Sequence, residues 1–261
     1  MSREEFVEYL LPLFALALGL SVWEGVVRFY GVPSYILPAP SLIILTLIKD
    51  WTTLSGSLAV TLSITFKALG AAVVGGVTLA ILFAQWRFIE RAFFPFAVAM
   101  QVTPIVAIAP LLLIYLSSST AVLVVAFLVA FFPILANSTL GLSSTDRNLL
   151  DLFRLYGATS WQELVWLRLP SALPYFLAGL RIGGGLALIG AIVAEIAAGT
   201  AGHGAGLAYR IVESGYLLNV PRMFAALLLI SAAGITIYLM LSALSHLLLR
   251  HWHESAHRRE T

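Results

Sequence analysis

The chain has 261 residues, 60% of them hydrophobic and only 11% charged, with a mean hydropathy of +0.96. A soluble domain has roughly a quarter of its residues charged, so this apolar surface exceeds what one core absorbs and the surplus has to face lipid. Cysteine is absent, which excludes a disulfide framework, a thiolate metal site and a cysteine nucleophile. The net charge of +2 comes from single basic residues scattered beside apolar runs, a pattern of membrane topology and not of a nucleic-acid partner.

The apolar runs are continuous over about twenty residues and do not alternate as barrel strands do, so the predicted fold class is an all-α membrane protein. The opening MSREEFVEYL is acidic ahead of its apolar run and has no A-x-A-like site, so no signal peptide is expected. The first span is predicted at about 10–30, with Glu24 and Arg28 as an i,i+4 pair anchoring its end. VPSYILPAPSLIILTLIKDW, punctuated by proline, reads as an extended segment followed by an interfacial helix. The second span lies within 57–86, with Lys67 near its start and snorkelling to the closer interface. QWRFIER is a short loop. The third span, about 92–116, contains Pro95, Pro104 and Pro110, and the fourth, about 120–142, follows the polar break SSST. A polar segment over 143–174 precedes the fifth span at about 175–198. The sixth, about 222–249, ends in the tail RHWHESAHRRET, read as solvated because His251, His253 and His257 do not share a helical face; no metal site is expected.

Six spans put both termini on one side. With the N-terminus inside, Arg3, Arg87, Arg91, Arg147, Arg154, Arg168, Arg250, Arg258 and Arg259 are internal, whereas Arg28, Lys49, Arg210 and Arg222 are external. That split follows the positive-inside rule and assigns the 143–174 loop to the cytoplasm. No second domain and no fixed-period repeat is visible, and the whole of 1–261 reads as a single transmembrane domain.

Within that loop, DLFRLYGATSWQELVWLRLP has helical character up to Tyr156 and an interruption at Gly157. Thr159 or Ser160 can cap a second short helix, with Glu163 three residues after Ser160 as the capping-box partner. Pro170 is expected to end it and Pro174 to separate it from the fifth span. The product is an elbow with Trp161, Leu164, Trp166 and Leu167 available for docking; an interfacial connector anchored among headgroups is the alternative.

These residues resemble a known family. Asp151 six residues before Gly157, with Leu169-Pro170 twelve and thirteen after it, is similar to the EAA…G…LP loop of ABC importer permeases, although Leu152 and Phe153 stand where that name has alanines. YILPAPSLI, QVTPIVAIAPLLLIYL, FFPILANSTLGL, GATSWQELVWLRLPSALPYFLAGLRIGGGLALIGAIVAE and GLAYRI look like successive blocks of the nitrate/sulfonate/taurine/bicarbonate-type permeases, together covering about 20–215. The resemblance implies a type I importer permease fold of six transmembrane helices, with a cytoplasmic coupling helix between spans four and five. It also implies a bacterial inner-membrane location, a homodimer or paired permease on two ATP-binding subunits, and an external substrate-binding protein. Asp151, Gly157, Ala158, Thr159, Trp161, Leu167, Leu169 and Pro170 would carry the coupling contact. No G-x-x-x-x-G-K-[ST] occurs, and GTAGHGAG lacks the lysine, so the chain is not expected to be an enzyme; ATP and Mg belong to the partner ATPase.

Four further groups are candidates. Gln101, Thr103 and Pro104 lie mid-span, where the proline frees a carbonyl; they line a path, or form a kink satisfied by neighbouring helices. Glu195 closes the fifth span, either as a gate-region residue or as a headgroup-level acid paired with Arg210 or Lys67. Gly179, Gly183 and Gly190, with Gly184 and Gly185 beside them, permit close packing against span three or a dimer mate, or act as a hinge, and Asn137 offers a hydrogen bond across helices. Arg181 sits near the cytoplasmic mouth, about 21 Å from Glu195 along a helix, to snorkel or meet the coupling loop. An ATP-independent channel or secondary transporter lacks its inverted repeat here, and an intramembrane enzyme lacks a nucleophile–base or metal grouping. Cargo is open between a sulfonate-, nitrate- or taurine-like anion and a heterocyclic vitamin precursor, with selectivity assigned to the binding protein because Lys67 and Arg181 stand near opposite ends.

Overall fold

The structure is a computed structural model describing residues 3–199 and 204–250, and within these it is helical with no strand. In chain order the helices are α1 (Arg3–Phe29), α2 (Pro40–Lys49), α3 (Trp51–Gln85), α4 (Arg87–Val102), α5 (Ile105–Tyr115), α6 (Ser118–Ser143) and α7 (Arg147–Leu155). There follow α8 (Ser160–Glu163), a π-helical turn (Leu164–Arg168), α9 (Leu169–Ala198), α10 (Leu207–Tyr216) and α11 (Val220–Leu249). The histidine-bearing tail from residue 251 lies outside the described residues.

Among the described residues, five helices are long and apolar enough to cross a membrane, and a sixth span is available if α4 and α5 count as one. Those two are bent relative to one another by more than 40°. The cause is local. Proline disfavours the α conformation in the residue before it, and Thr103 and Pro104 are both extended, with ψ of 129° and 103°. The carbonyl ladder therefore breaks where the sequence places its polar mid-span residues.

The chain divides into two compact units, Met1–Leu58 with Ala201–Ile230, and Ala59–Thr200 with Ser231–Thr261. In the first, Trp23 packs on Phe224 with ring centroids 5.9 Å apart. Arg28 Nε donates to Glu24 Oε1 at 2.6 Å while Ser41 closes the same carboxylate. Arg222 pairs with Asp50 at 3.4 Å, and Arg210 pairs with Glu213 at 2.9 Å and donates to Ser57.

The second unit is organised around α6 and α9. Its largest core cluster joins Leu69 and Ala72 of α3, Ala130 and Ile134 of α6, Leu177, Leu180, Ala187 and Leu188 of α9, and Ile237 and Leu241 of α11. Lipid is as apolar as leucine, so helices associate there by close packing of small residues. A Cβ at Gly179 would stand 2.7 Å from Asn137 Cβ, one at Gly183 3.0 Å from Ile134 Cδ1, and one at Gly190 2.9 Å from Ala126 Cα. The partner of this glycine face is thus α6, not the third span or a dimer mate; Gly184 faces Leu241 of α11. Asn137 also departs from its expected role. Its Nδ2 donates at 2.8 Å to Pro133 O one turn back in its own helix and does not bridge helices.

Two other expectations change. Lys67 is exposed midway along α3, because that helix begins at Trp51, well before the predicted start. Pro170 and Pro174 do not terminate or separate anything: Ser160–Ala198 is a continuous 39-residue helical span. Pro170 has no N–H to give and its ring crowds the carbonyl four residues back. The chain widens just there into the π turn, in which Leu169 N donates to Leu164 O, and the helix proceeds.

Gly190→Ala should lower stability by about 1–3 kcal/mol, the usual cost of overpacking, because the obstructing atom is backbone. Gly185→Ala, with nothing within 4 Å, is the control carrying the same helix-propensity gain. Thermal unfolding in detergent should separate the two, and equal melting would refute the close α6–α9 contact.

Candidate functional site

The elbow is built by local rules. Asp146 caps α7 by accepting from Asn148 N at 2.8 Å. The helix ends in a left-handed residue, Gly157, at φ +72°. Gly157 N donates to Arg154 O at 2.9 Å and Ala158 N donates to Phe153 O at 3.0 Å. This pair of bonds is the Schellman arrangement, which demands a residue tolerant of positive φ. The glycine singled out in the sequence therefore has a definite physical job: it stops α7 and turns the chain.

Thr159 opens α8. Gln162 N donates to Thr159 Oγ1 at 3.3 Å and Thr159 N donates to Gln162 Oε1 at 2.8 Å, a reciprocal capping box. The expected box of Ser160 with Glu163 does not form. Glu163 is released for something else. Only 7% exposed, it accepts from Arg154 Nε at 3.2 Å and Arg168 Nη2 at 3.5 Å. One carboxylate thus ties the end of α7 to the π turn. Sequence reading missed this link because its partners stand nine residues before and five after; the available signal was a lone acid among the apolar residues of WQELVWLRL with arginine on both sides. Asp151 reaches only Arg154, at 3.7 Å, and both side chains are largely exposed.

The expected docking residues separate into two sets. Leu164 and Leu167 are buried, Leu164 within a cluster with Phe83, Leu135, Leu142 and Ala172. Leu169 and Pro170 are partly buried beside them, and Leu169 packs on that cluster. These four anchor the elbow and present little to a partner. Trp161 (67%) and Trp166 (73%) are exposed, as are Gly157 and Thr159, with Ala158 half-buried. On α7, Leu149, Leu152, Leu155 and Tyr156 are exposed too. These side chains form an exposed apolar edge on an otherwise polar segment, the kind of surface that a partner or lipid headgroups cover.

The mid-span residues are elsewhere. Gln101, Thr103 and Pro104 are all exposed at the α4–α5 break, where Thr103 Oγ1 donates to Ala99 O at 2.8 Å. Glu195, three residues before the end of α9, is 3% exposed and accepts from Thr61 Oγ1 of α3 at 2.8 Å. It is an acid buried against protein near the end of its span. Thr61 was not anticipated, since 134 residues separate it from Glu195. Arg181 Nη2 donates to Ser245 Oγ of α11 at 3.2 Å. No cluster of three or more His, Asp or Glu suited to a metal occurs among the described residues.

Residues 72–253 match the family described as binding-protein-dependent transport system inner membrane component. The riboflavin transport system permease protein of Chloroflexus aurantiacus is 34% identical over 264 residues, covering 98% of this chain and 94% of the relative. The formylaminopyrimidine transport permease protein of Halalkalibacterium halodurans is 36% identical over 239 residues, covering 91% and 93%. The taurine transport system permease protein of Escherichia coli is 27% identical over 251 residues, covering 93% and 90%. In structure, the chain resembles one described as the crystal structure of an amino acid ABC transporter with histidines, with a TM-score of 0.64, 21% identity and coverage of 79% and 97%. That last likeness speaks to the fold alone.

Glu163→Gln keeps the shape of the carboxylate and removes its charge. Loss of two charge-assisted bonds should cost about 1–2 kcal/mol, at the low end because Arg154 is more than half exposed. Limited proteolysis should then show faster cleavage around 155–160; an unchanged cleavage rate would show that Glu163 does not hold the elbow.

Proposed function

The chain belongs to the binding-protein-dependent transport system inner membrane component family, and from that premise we propose how it moves its cargo and what the cargo is. It is a multi-pass permease subunit of an ABC importer. Its family is a membrane subunit and not itself a catalyst, and the absence of a phosphate-binding Gly–Lys motif agrees with this. ATP and Mg are assigned to a separate ATPase subunit, and two permease chains are assigned to two such subunits, with a binding protein on the opposite face.

The observation that carries the mechanism is the exposed apolar edge of the elbow, Leu152, Leu155, Tyr156 and Trp161, held on a frame of Gly157, the Thr159–Gln162 box and Glu163. We assign this edge to the ATPase groove, with Asp151 and Ala158 at its margin, and Leu167, Leu169 and Pro170 fixing its base. We assign the elbow and both termini to the cytoplasm, a reading the arginine distribution supports. ATP-driven closure of the partner subunits draws the two elbows together, tilts α9 and the α4–α5 pair, and opens the path outward; the permease only responds to free energy supplied elsewhere. Gln101, Thr103 and Pro104 are assigned to the path, because a broken helix leaves backbone groups that only a polar cavity or neighbours satisfy. The buried Glu195–Thr61 pair is assigned to the gate region.

For the cargo we favour a heterocyclic vitamin or vitamin precursor over a sulfonate. Identity is higher to the relatives named for riboflavin and formylaminopyrimidine, at 34% and 36%, than to the one named for taurine, at 27%. The neutral character of Gln101 and Thr103 suits an uncharged heterocycle better than an anion.

Gly157→Asp should abolish ATP-dependent uptake while leaving the protein in the membrane, since a left-handed turn with a new charge misaligns the docking edge; uptake at the wild-type rate would refute the coupling role. For the cargo, the binding protein that serves this permease should be titrated with riboflavin, a formylaminopyrimidine and taurine. Binding of a heterocycle and not of taurine is expected, and the reverse order would overturn the assignment.

A further inference from the structure

We propose that a cavity on the inner side of α7 binds the phosphate group of an anionic phospholipid. The cavity is about 740 Å3 and is walled by the end of α3, the first turns of α4, the end of α6, α7 and the π turn. All of its residues belong to the second unit.

Five guanidinium groups line it: Arg87, Arg91, Arg147, Arg154 and Arg168. Arg154 and Arg168 are engaged by Glu163. Arg87, Arg91 and Arg147 make no ion pair among the described residues, and the lining carboxylates are only Glu90 and Asp151. Positive charge is therefore in excess. Two hydroxyls on the wall, Thr139 Oγ1 and Thr145 Oγ1, are buried without a hydrogen-bond partner, and Thr145 is only 6% exposed. An orphan buried hydroxyl calls for an explanation, of which an acceptor entering the cavity is one. Planar guanidinium forks and hydroxyl donors together match the tetrahedral oxygens of a phosphate.

The floor selects a lipid over a free ion. It presents Phe94 and Pro95, both exposed, backed by the buried Phe83 and Leu142; these solvate no part of inorganic phosphate but suit the glycerol and upper acyl carbons of a phospholipid. From this wall α4 runs on as an apolar helix with Phe93 and Phe96 exposed, so acyl chains have an outlet along it. Basic residues at the membrane surface attract anionic headgroups.

Apart from Asp151, which stands at the margin of both, the cavity is separate from the proposed ATPase edge. Arg147, Leu150, Asp151 and Arg154 recur at helical spacing on one face of α7, and Leu149, Leu152 and Tyr156 occupy the other. One short helix therefore faces lipid phosphate on one side and protein on the other. The inference rests on the membrane-embedded reading of α4 and requires neither ATP nor cargo.

The test uses the full-length chain, purified in detergent, exchanged into mixed micelles with equal phosphatidylglycerol and phosphatidylcholine, and weighed by native mass spectrometry. Wild type should retain phosphatidylglycerol in preference to phosphatidylcholine. The triple variant R87Q/R91Q/R147Q should lose it, by roughly fivefold in affinity per arginine. Thr145→Val keeps every charge and should weaken retention severalfold, which guards against a triple variant that fails to fold. Millimolar inorganic phosphate should not displace the lipid; full displacement would assign the site to free phosphate and overturn the lipid reading. Equal retention of both lipids, or undiminished retention in both variants, would also overturn it. So would a triple variant that keeps the lipid and instead loses a co-purifying ATPase subunit. Lipid retention is read without transport, so a failure here leaves the permease mechanism standing, and a failure of uptake leaves this site standing.

Discussion

The closeness of α6 and α9 is the constraint from which the rest of the second unit follows. At Gly190 the neighbouring helix presents backbone, with Ala126 Cα 2.9 Å from where a side chain would begin. In lipid, apolar area gains nothing by leaving one hydrocarbon for another, so cohesion depends on dispersion contacts at short range. Glycine and alanine at Ala126, Ala130, Gly183, Gly190 and Ala191 make those contacts possible, and Phe83, Ile134 and Leu177 fill the space between the helices they bring together. The α3 and α11 helices then pack on a pair already closed.

A polar elbow at the end of such a bundle poses a different problem, since charged groups near apolar surface are costly unless paired. The solution is self-contained. Backbone donors and acceptors at each helix end are satisfied by the Schellman turn, by Asp146 and by the Thr159–Gln162 box, and the one buried acid has two arginines. With those groups satisfied, the apolar edge of the elbow stays exposed.

Much of this was legible in the sequence. The spans follow from apolar runs between charges, because burial in lipid leaves no other composition available. Gly157 announced a turn because few residues accept positive φ. What escaped was decided by tertiary partners or by backbone adjustment. Glu163 satisfies the pattern of a capping box and was read as one, but a residue nine positions earlier competes for its carboxylate, and distance along the chain hides that. Pro170 and Pro174 were read as terminators because proline removes a helix bond, yet the helix continues through both, widening into a π turn ahead of Pro170. Leu167 was expected among the exposed docking residues, but apolar character does not tell the buried side of a helix from the side facing outward, and Leu167 is buried. Asn137 was read as a bridge, whereas its amide donates to the Pro133 carbonyl one turn back, and the helix beside it presents Gly179, which has no side chain to bond.

The unbroken helix from Ser160 to Ala198 has a mechanical implication. It packs on α6 along most of its length, from Leu164 and Ala172 beside Leu135 and Leu142 to Ala194 beside Val122 and Val125. At 1.5 Å per residue, the stretch from Leu164 to Ala194 is about 45 Å long. A rod held along its length has no free arm, so a displacement entering at the elbow reaches the Glu195 end only by carrying α6 with it. The geometry is suited to moving two helices as one body, not to bending one against the other.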